Sequence, residues 1–418
     1  MNNSMKAVMI GLIGAIGATP AARAADVPPA EASSLSEAIT GGKLLLNLRP
    51  RYEHVEQENK PKDADAYTMR TLIGWRTLPW NGLGLTLEGI NVGHLGNKHY
   101  APRPNVPSPY PLVADPDDTD VNQLYLDYTG LPKTAVRVGR QSIKLDNVRF
   151  IGNVEFRQVM QVFNAAVVEN TSLPNTRLYA GYLWRQKTIF TTERNIDAPI
   201  FNARYTWQPG NDLIGYAYLI DQRDTGQATG FRDNSHADFG VRATGAYPIT
   251  DKWKLQYTAE YAKQNDYADG DSRIDADYWH LAAGPQFGDW YVRLEHEILS
   301  SNKGRYGFQT PLGTNHLFQG WADQFLTTPR QGIRDTYISA GGKIGKLAIY
   351  GEVHKFDSDV RDIDFGHEFD VAVSYPLYKG LIGRIEFADY NAGDKVPGDA
   401  LANKVDVRKF WVTLIYQY

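Results

Sequence analysis

From Lys43 onward, apolar and polar residues alternate with a period of two. Over 43–53, Leu44, Leu46, Leu48 and Tyr52 share one parity, and Asn47, Arg49, Arg51 and Glu53 share the other. Over 67–77, Met69, Thr71, Ile73 and Trp75 oppose Thr68, Arg70 and Arg76. Phe239, Val241 and Tyr247 oppose Arg242 and Thr244 in the same way. Trp253, Leu255, Tyr257 and Tyr261 oppose Lys254, Gln256, Glu260 and Gln264. Successive side chains of a strand point to opposite faces, so this pattern predicts strands with one apolar and one charged face. The periodic segments exceed the roughly 5–6 residues usual in soluble sheets. They reach the about 9–11 residues that a tilted membrane strand needs.

The breaks between segments alternate in length. Residues 79–82, 130–133, 171–175, 208–211, 248–251, 288–289, 345–346 and 376–379 are short and carry hairpin chemistry such as Asn-Gly, Pro-Gly and Gly-Asp. Residues 57–66, 97–120, 144–159, 191–196, 222–235, 266–274, 301–331, 357–366 and 393–404 are longer and polar. Eight turns and nine loops make seventeen connections. They predict an all-β fold over 43–418: one transmembrane antiparallel barrel of about 18 strands, turns periplasmic and loops outside. The chain ends Phe410, Val412, Leu414, Tyr416 and Tyr418, alternating with Lys409, Trp411, Thr413 and Gln417. That is a closing strand with an aromatic last residue, the element a barrel-assembly machinery would engage. Trp80, Tyr128, Trp207, Tyr247, Trp253, Trp290 and Tyr375 flank the short turns as an interfacial girdle.

The N-terminus sets the compartment. A basic Met1–Lys6, an apolar Ala7–Ala18 and Ala22-Arg23-Ala24 read as a secretory signal peptide over 1–24. Residues 25–42 follow as a loose periplasmic segment. With 44 Lys+Arg and 48 Asp+Glu, removing Lys6 and Arg23 leaves 42 − 48 = −6. No basic excess points to nucleic acid. There is no Cys, which removes thiol catalysis, disulfides and thiolate metal sites. The 25 Tyr, 9 Trp and 38 Gly fit many strands with rings at a boundary. Neither His-Glu-x-x-His nor Gly-x-Ser-x-Gly occurs, so no enzyme signature, cofactor or metal is expected; an outer-membrane enzyme built on a compact Ser/His or Asp/His site is the alternative of another class. Lipid and lipopolysaccharide are the expected surroundings of the outer membrane.

If the apolar parity faces lipid, the polar parity faces the lumen. Arg49, Arg51, Arg70, Arg76, Arg137, Arg204, Arg242, Arg293 and Arg384 then point inward. So do Glu53, Glu88, Asp127, Glu260, Glu295, Glu297, Glu368, Asp370 and Glu386. Arginine offers a planar fork to carboxylates and keeps its charge. Several such groups in series favour passage of anions. A general diffusion porin, whose mixed charges only shape the wall field, is the alternative within this class.

The motifs Gly139-Arg140-Gln141, Arg149-Phe150-Ile151-Gly152, Phe156-Arg157-Gln158 and Phe163-Asn164, with the long 308–335 segment, resemble the alginate export family of outer-membrane barrels. The resemblance implies an 18-stranded barrel passing anionic uronate polysaccharide along arginines. It adds Arg140, Arg149 and Arg157 to the pore-lining set. The 301–331 loop carries Phe308, His316, Trp321 and Phe325; rings of this size need burial, which predicts a loop folded into the barrel mouth. The proline-rich 97–120 loop reads as a stiff cap. The acidic runs 115–120 and 266–277 lack the twelve-residue calcium-loop pattern and read as solvated loops or lipopolysaccharide bridges.

Overall fold

The computed structural model describes residues 31–222, 233–396, 398–399 and 401–418. The signal-peptide segment lies outside the described residues. The strands are β1 Lys43–Gln57, β2 Ala64–Arg76, β3 Leu83–His94, β4 Asp118–Leu131, β5 Thr134–Gln141, β6 Val162–Asn170, β7 Thr176–Lys187, β8 Glu193–Gln208 and β9 Asn211–Ile220. They continue as β10 His236–Pro248, β11 Trp253–Asp266, β12 Asp275–Phe287, β13 Trp290–Leu299, β14 Ile333–Ile344, β15 Leu347–Asp357, β16 Asp364–Tyr378, β17 Leu381–Ala392 and β18 Val407–Gln417. Every strand pairs antiparallel with its sequence neighbours, and β1 pairs with β18. The single 18-stranded sheet is therefore a closed barrel with no free edge.

Alternation does the sorting. Ile73, Leu126, Phe201, Leu281, Leu294 and Val353 are exposed on the outside of the barrel. Arg49, Arg70, Glu260, Arg293, Glu295 and Glu386 are buried on the inside. Trp75, Trp207, Tyr247, Trp253, Trp290, Tyr375 and Tyr418 ring the short-turn end. The predicted turns and loops fall where the strands end; Asn81, Lys133 and Asn175 adopt positive φ in the short turns.

The lead-in is not loose from residue 31 on. A short helix, α1 Leu35–Thr40, is capped by Ser34, whose Oγ accepts from the Glu37 N–H at 3.2 Å. The Ala32 N–H donates to Pro79 O at 2.8 Å and the Leu78 N–H to Ala38 O at 3.0 Å. Trp75 Nε1 donates to Ile39 O at 2.9 Å. The segment is thus docked against the turn between β2 and β3.

Candidate constriction inside the barrel

Two loops turn inward and meet. The first joins β5 to β6 (142–161). Sequence reading treats it as a polar external loop, yet Ile143, Leu145, Phe150, Ile151, Val159 and Met160 are buried. Phe150 sits 5.0 Å from Tyr216 and 5.5 Å from Tyr278, on the β9 and β12 walls. Val159 and Met160 pack on Leu72, Ile90 and Val92 of β2 and β3. The loop is therefore a strap from one wall to another. Its apolar residues were the signal that could have revealed this, because such side chains need an interior.

The second is the loop between β13 and β14 (300–332). Phe308, His316, Trp321 and Phe325 are all buried. Phe308 meets Phe150 and Tyr278; Trp321 stacks on Tyr350 at 5.9 Å; Phe325 fits among Phe356, Phe365 and Tyr390. The two loops are joined by Gly152 N–H to Leu312 O and Thr314 N–H to Val148 O, both 2.9 Å. The proline-rich loop reaches them as well: Asp115 Oδ1 accepts from the Gln158 N–H at 2.7 Å.

Ion pairs fasten these loops to the wall. Arg157 binds Glu53 of β1 at 3.0 Å and Asp323 at 2.7 Å. Asp323 also takes Lys409 of β18 and His316, each at 2.7 Å. Arg149 reaches Glu297 of β13 at 3.2 Å. Burial alone would raise the Asp323 carboxyl, but Lys409, His316 and Arg157 hold it well below the usual carboxylate range. Burial pushes the His316 imidazole down, and Arg157 and Lys409 add to that against the pull of Asp323.

The arginines separate into two groups. Arg137 pairs with Asp127, Arg204 with Asp146, Arg242 with Glu260, Arg293 with Glu295 and Arg384 with Glu386. Such pairs brace the wall. Arg49, Arg51 and Arg70 differ: among the described residues none has a carboxylate within ion-pair distance. Arg49 and Arg70 face each other across the β1–β2 ladder. Arg49 is held by Gln158 Oε1 at 2.8 Å and by the carbonyls of Glu155 and Arg157. Arg51 donates from Nε to Thr413 Oγ1 at 3.2 Å and lies 4.3 Å over the Phe156 ring. Arg70 donates from Nη2 to Asn47 at 2.9 Å, while its Nε and Nη1, and Arg51 Nη1, have no acceptor. All three are buried, and the strap covers Arg49 and Arg51 directly.

Arg140 does not join them. It shares parity with exposed Val138 and pairs with exposed Leu124, which is the outer face. There it meets Asn164, Asp120 and Glu193 at the long-loop rim. The acidic runs are largely neutralised locally. Asp117 binds Lys98 and His94, Asp118 and Asp120 bind Lys187, Asp271 binds Arg273, and Asp275 binds Lys263. The lumen wall is electrically lopsided. The β13–β17 sector buries Glu295, Glu297, Asp335, Glu352, Glu368, Asp370 and Glu386, whereas β1 and β2 carry the unpaired arginines.

Residues 92–296 match the family described as alginate export. Solved structures share the whole architecture at low identity. OccAB2 of Acinetobacter baumannii is 13% identical, with TM-score 0.70, over 91% of this chain and 99% of that one. OpdQ of Pseudomonas aeruginosa is 13% identical, with TM-score 0.68, over 90% and 98%. OpdK of Pseudomonas aeruginosa, solved with vanillate, is 12% identical, with TM-score 0.69, over 91% and 99%. No curated protein matches in sequence. The chain shares the closed 18-stranded β-barrel architecture of these structures.

Proposed function

We propose that this barrel is a passive outer-membrane channel for anionic solutes: uronate polysaccharide or oligosaccharide, or smaller carboxylates. The reading includes a cleaved signal peptide over 1–24 and both ends in the periplasm. The observation that carries it is the trio Arg49, Arg51 and Arg70. They are buried inward cations with no carboxylate of their own, as is the more exposed Arg76, which donates to Thr86 and Tyr125, and they retain unused donors on Arg51 and Arg70. Once the 142–161 strap shifts to open this level of the barrel, a carboxylate gains charge-assisted hydrogen bonds there without breaking an existing ion pair. The paired arginines along the remaining wall offer weaker sites in series, so the solute moves on rather than sticks. Vanillate is a carboxylate, so the OpdK structure is in keeping with this chemistry.

Reversal potentials under a salt gradient test the proposal. Anion preference in the unmodified barrel is expected. Because the trio supplies the uncompensated charge, Arg51→Ala with Arg70→Ala should move the reversal potential toward zero. Cation preference of the unmodified barrel would overturn it. The acid-rich β13–β17 sector favours a second reading, a general diffusion porin with mixed wall charge, and an unselective reversal potential would support that instead. Inhibition of conductance by uronate oligomers compared with monomeric carboxylates and neutral sugars then ranks the solutes.

A further inference from the structure

Behind the constriction, four carboxylates share one patch of the β14–β16 wall. Asp335, Glu352, Glu368 and Asp370 are each at most 2% exposed. Among the described residues, the only basic group within ion-pair distance of any of them is His354. Four ionised acids against one imidazolium leave a deficit of three charges. An uncompensated buried ion costs several kcal/mol. The patch therefore needs protons or a cation.

The geometry selects the cation. Asp335 engages His354 Nδ1 at 2.9 and 3.0 Å, which fixes that nitrogen as the protonated one. Nε2 then turns its lone pair toward Glu352 Oε2 at 3.4 Å and Asp370 Oδ2 at 3.7 Å. These separations are long for hydrogen bonds. They suit neighbouring ligands of one ion: two donors about 2.1 Å from a tetrahedral metal stand roughly 3.4 Å apart. The donor atoms of Glu352, His354 and Asp370 all lie within 4.8 Å of one another. Glu368 Oε2 and Asp370 Oδ1 have no hydrogen-bond partner although buried. The imidazole plane is held between Tyr337 at 4.5 Å and Phe356 at 5.3 Å, both nearly parallel to it. A carboxylate on the far nitrogen of a ligating histidine is the usual outer-shell arrangement.

We propose that Glu352, His354 and Asp370 bind one divalent first-row transition ion of the Zn²⁺ type, its fourth position open to water. One imidazole with carboxylates suits such ions better than it suits Mg²⁺ or Ca²⁺. The site also pins the constriction. Glu368 Oε1 accepts from the Ala322 N–H at 2.6 Å, and the Trp321 N–H points to Asp370 Oδ2 at 3.4 Å. A bound ion fixes Asp370 beside the Trp321 N–H and so steadies the loop, and it cancels charge in the acid-rich sector.

The test measures metal directly and does not depend on which solute the channel passes. Full-length barrel in detergent is stripped with EDTA, titrated with Zn²⁺ by calorimetry, and its retained zinc counted after gel filtration. One ion per chain is expected. Affinity should fall about a hundredfold or more in His354→Gln and Asp370→Asn, and by about 10–100-fold in the outer-shell variant Asp335→Asn. Should those variants not fold, zinc-edge X-ray absorption of the unmodified barrel decides. One imidazole in an otherwise oxygen shell supports the site; an all-oxygen shell refutes it. Absence of stoichiometric zinc in the unmodified barrel, or unchanged binding in folded His354→Gln and Asp370→Asn, would also overturn the proposal.

Discussion

Asp323→Asn removes the carboxylate shared by Arg157, Lys409 and His316 while keeping its shape. Arg157 retains Glu53 at 3.0 Å. Among the described residues, Lys409 then keeps the Trp411 ring at 5.9 Å but no carboxylate within ion-pair distance, and it stays buried. Deleting one partner of a buried ion pair costs about 3–5 kcal/mol, mostly for the charge left behind. The barrel wall does not rely on Asp323, so the loss falls on docking of the 300–332 loop. At about 1.4 kcal/mol per tenfold, loop opening should become roughly 10²–10³·⁵ times more populated. Amide exchange over 316–323 reads that equilibrium directly. The reporters include the Phe318 N–H on Asn315 O at 3.0 Å and the Ala322 N–H on Glu368. Exchange that rises less than tenfold at neutral pH would refute the reasoning. Adding Lys409→Met should restore part of the protection, since it removes the orphaned charge.

The pH dependence has a definite sign. Asp323 titrates lower when docked than when free, so its contribution is present above about pH 4 and lost as acid protonates it. His316 also titrates lower when docked, so the free loop binds its proton first. Stability therefore falls as pH drops below about 6.5. Loop protection in the native barrel should weaken in two steps on acidification, and His316→Gln should abolish the upper one.

Other expectations concern the barrel and its loop. Deleting 410–418 strips most of β18 from both β17 and β1; membrane insertion should fail, and normal heat-modifiable migration of the truncated chain would contradict the closure. Cysteine at Asp269, in a long loop, should react with an impermeant maleimide on whole cells, whereas cysteine at Asp251, in a short turn, should not; the reverse pattern would invert the orientation. Excising 308–328 should raise single-channel conductance, and an unchanged value would mean that the loop does not restrict the path.

The barrel was legible in the sequence because its causes are local. A strand must show one parity to lipid and the other to the interior, and each short turn declares itself through Gly, Pro or Asn. Parity even separates Arg140, which lies with Val138 on the outer face, from Arg137, which faces Asp127; family likeness alone had carried Arg140 inward. The apolar residues of 142–161, read as part of a polar external loop, could have marked an interior one, but not which walls it would touch. Nothing local pairs Arg157 with Glu53 across 104 positions, Arg149 with Gln319 across 170, or Lys409 with Asp323 across 86. Those partners meet only after closure brings β1, β13 and β18 around one lumen and the two loops cross it. Electrostatic energy depends on distance in space and on exclusion of water, and neither quantity exists along an unfolded chain. Tertiary structure therefore decided which arginines were consumed as braces and which, on β1 and β2, kept their charge unpaired.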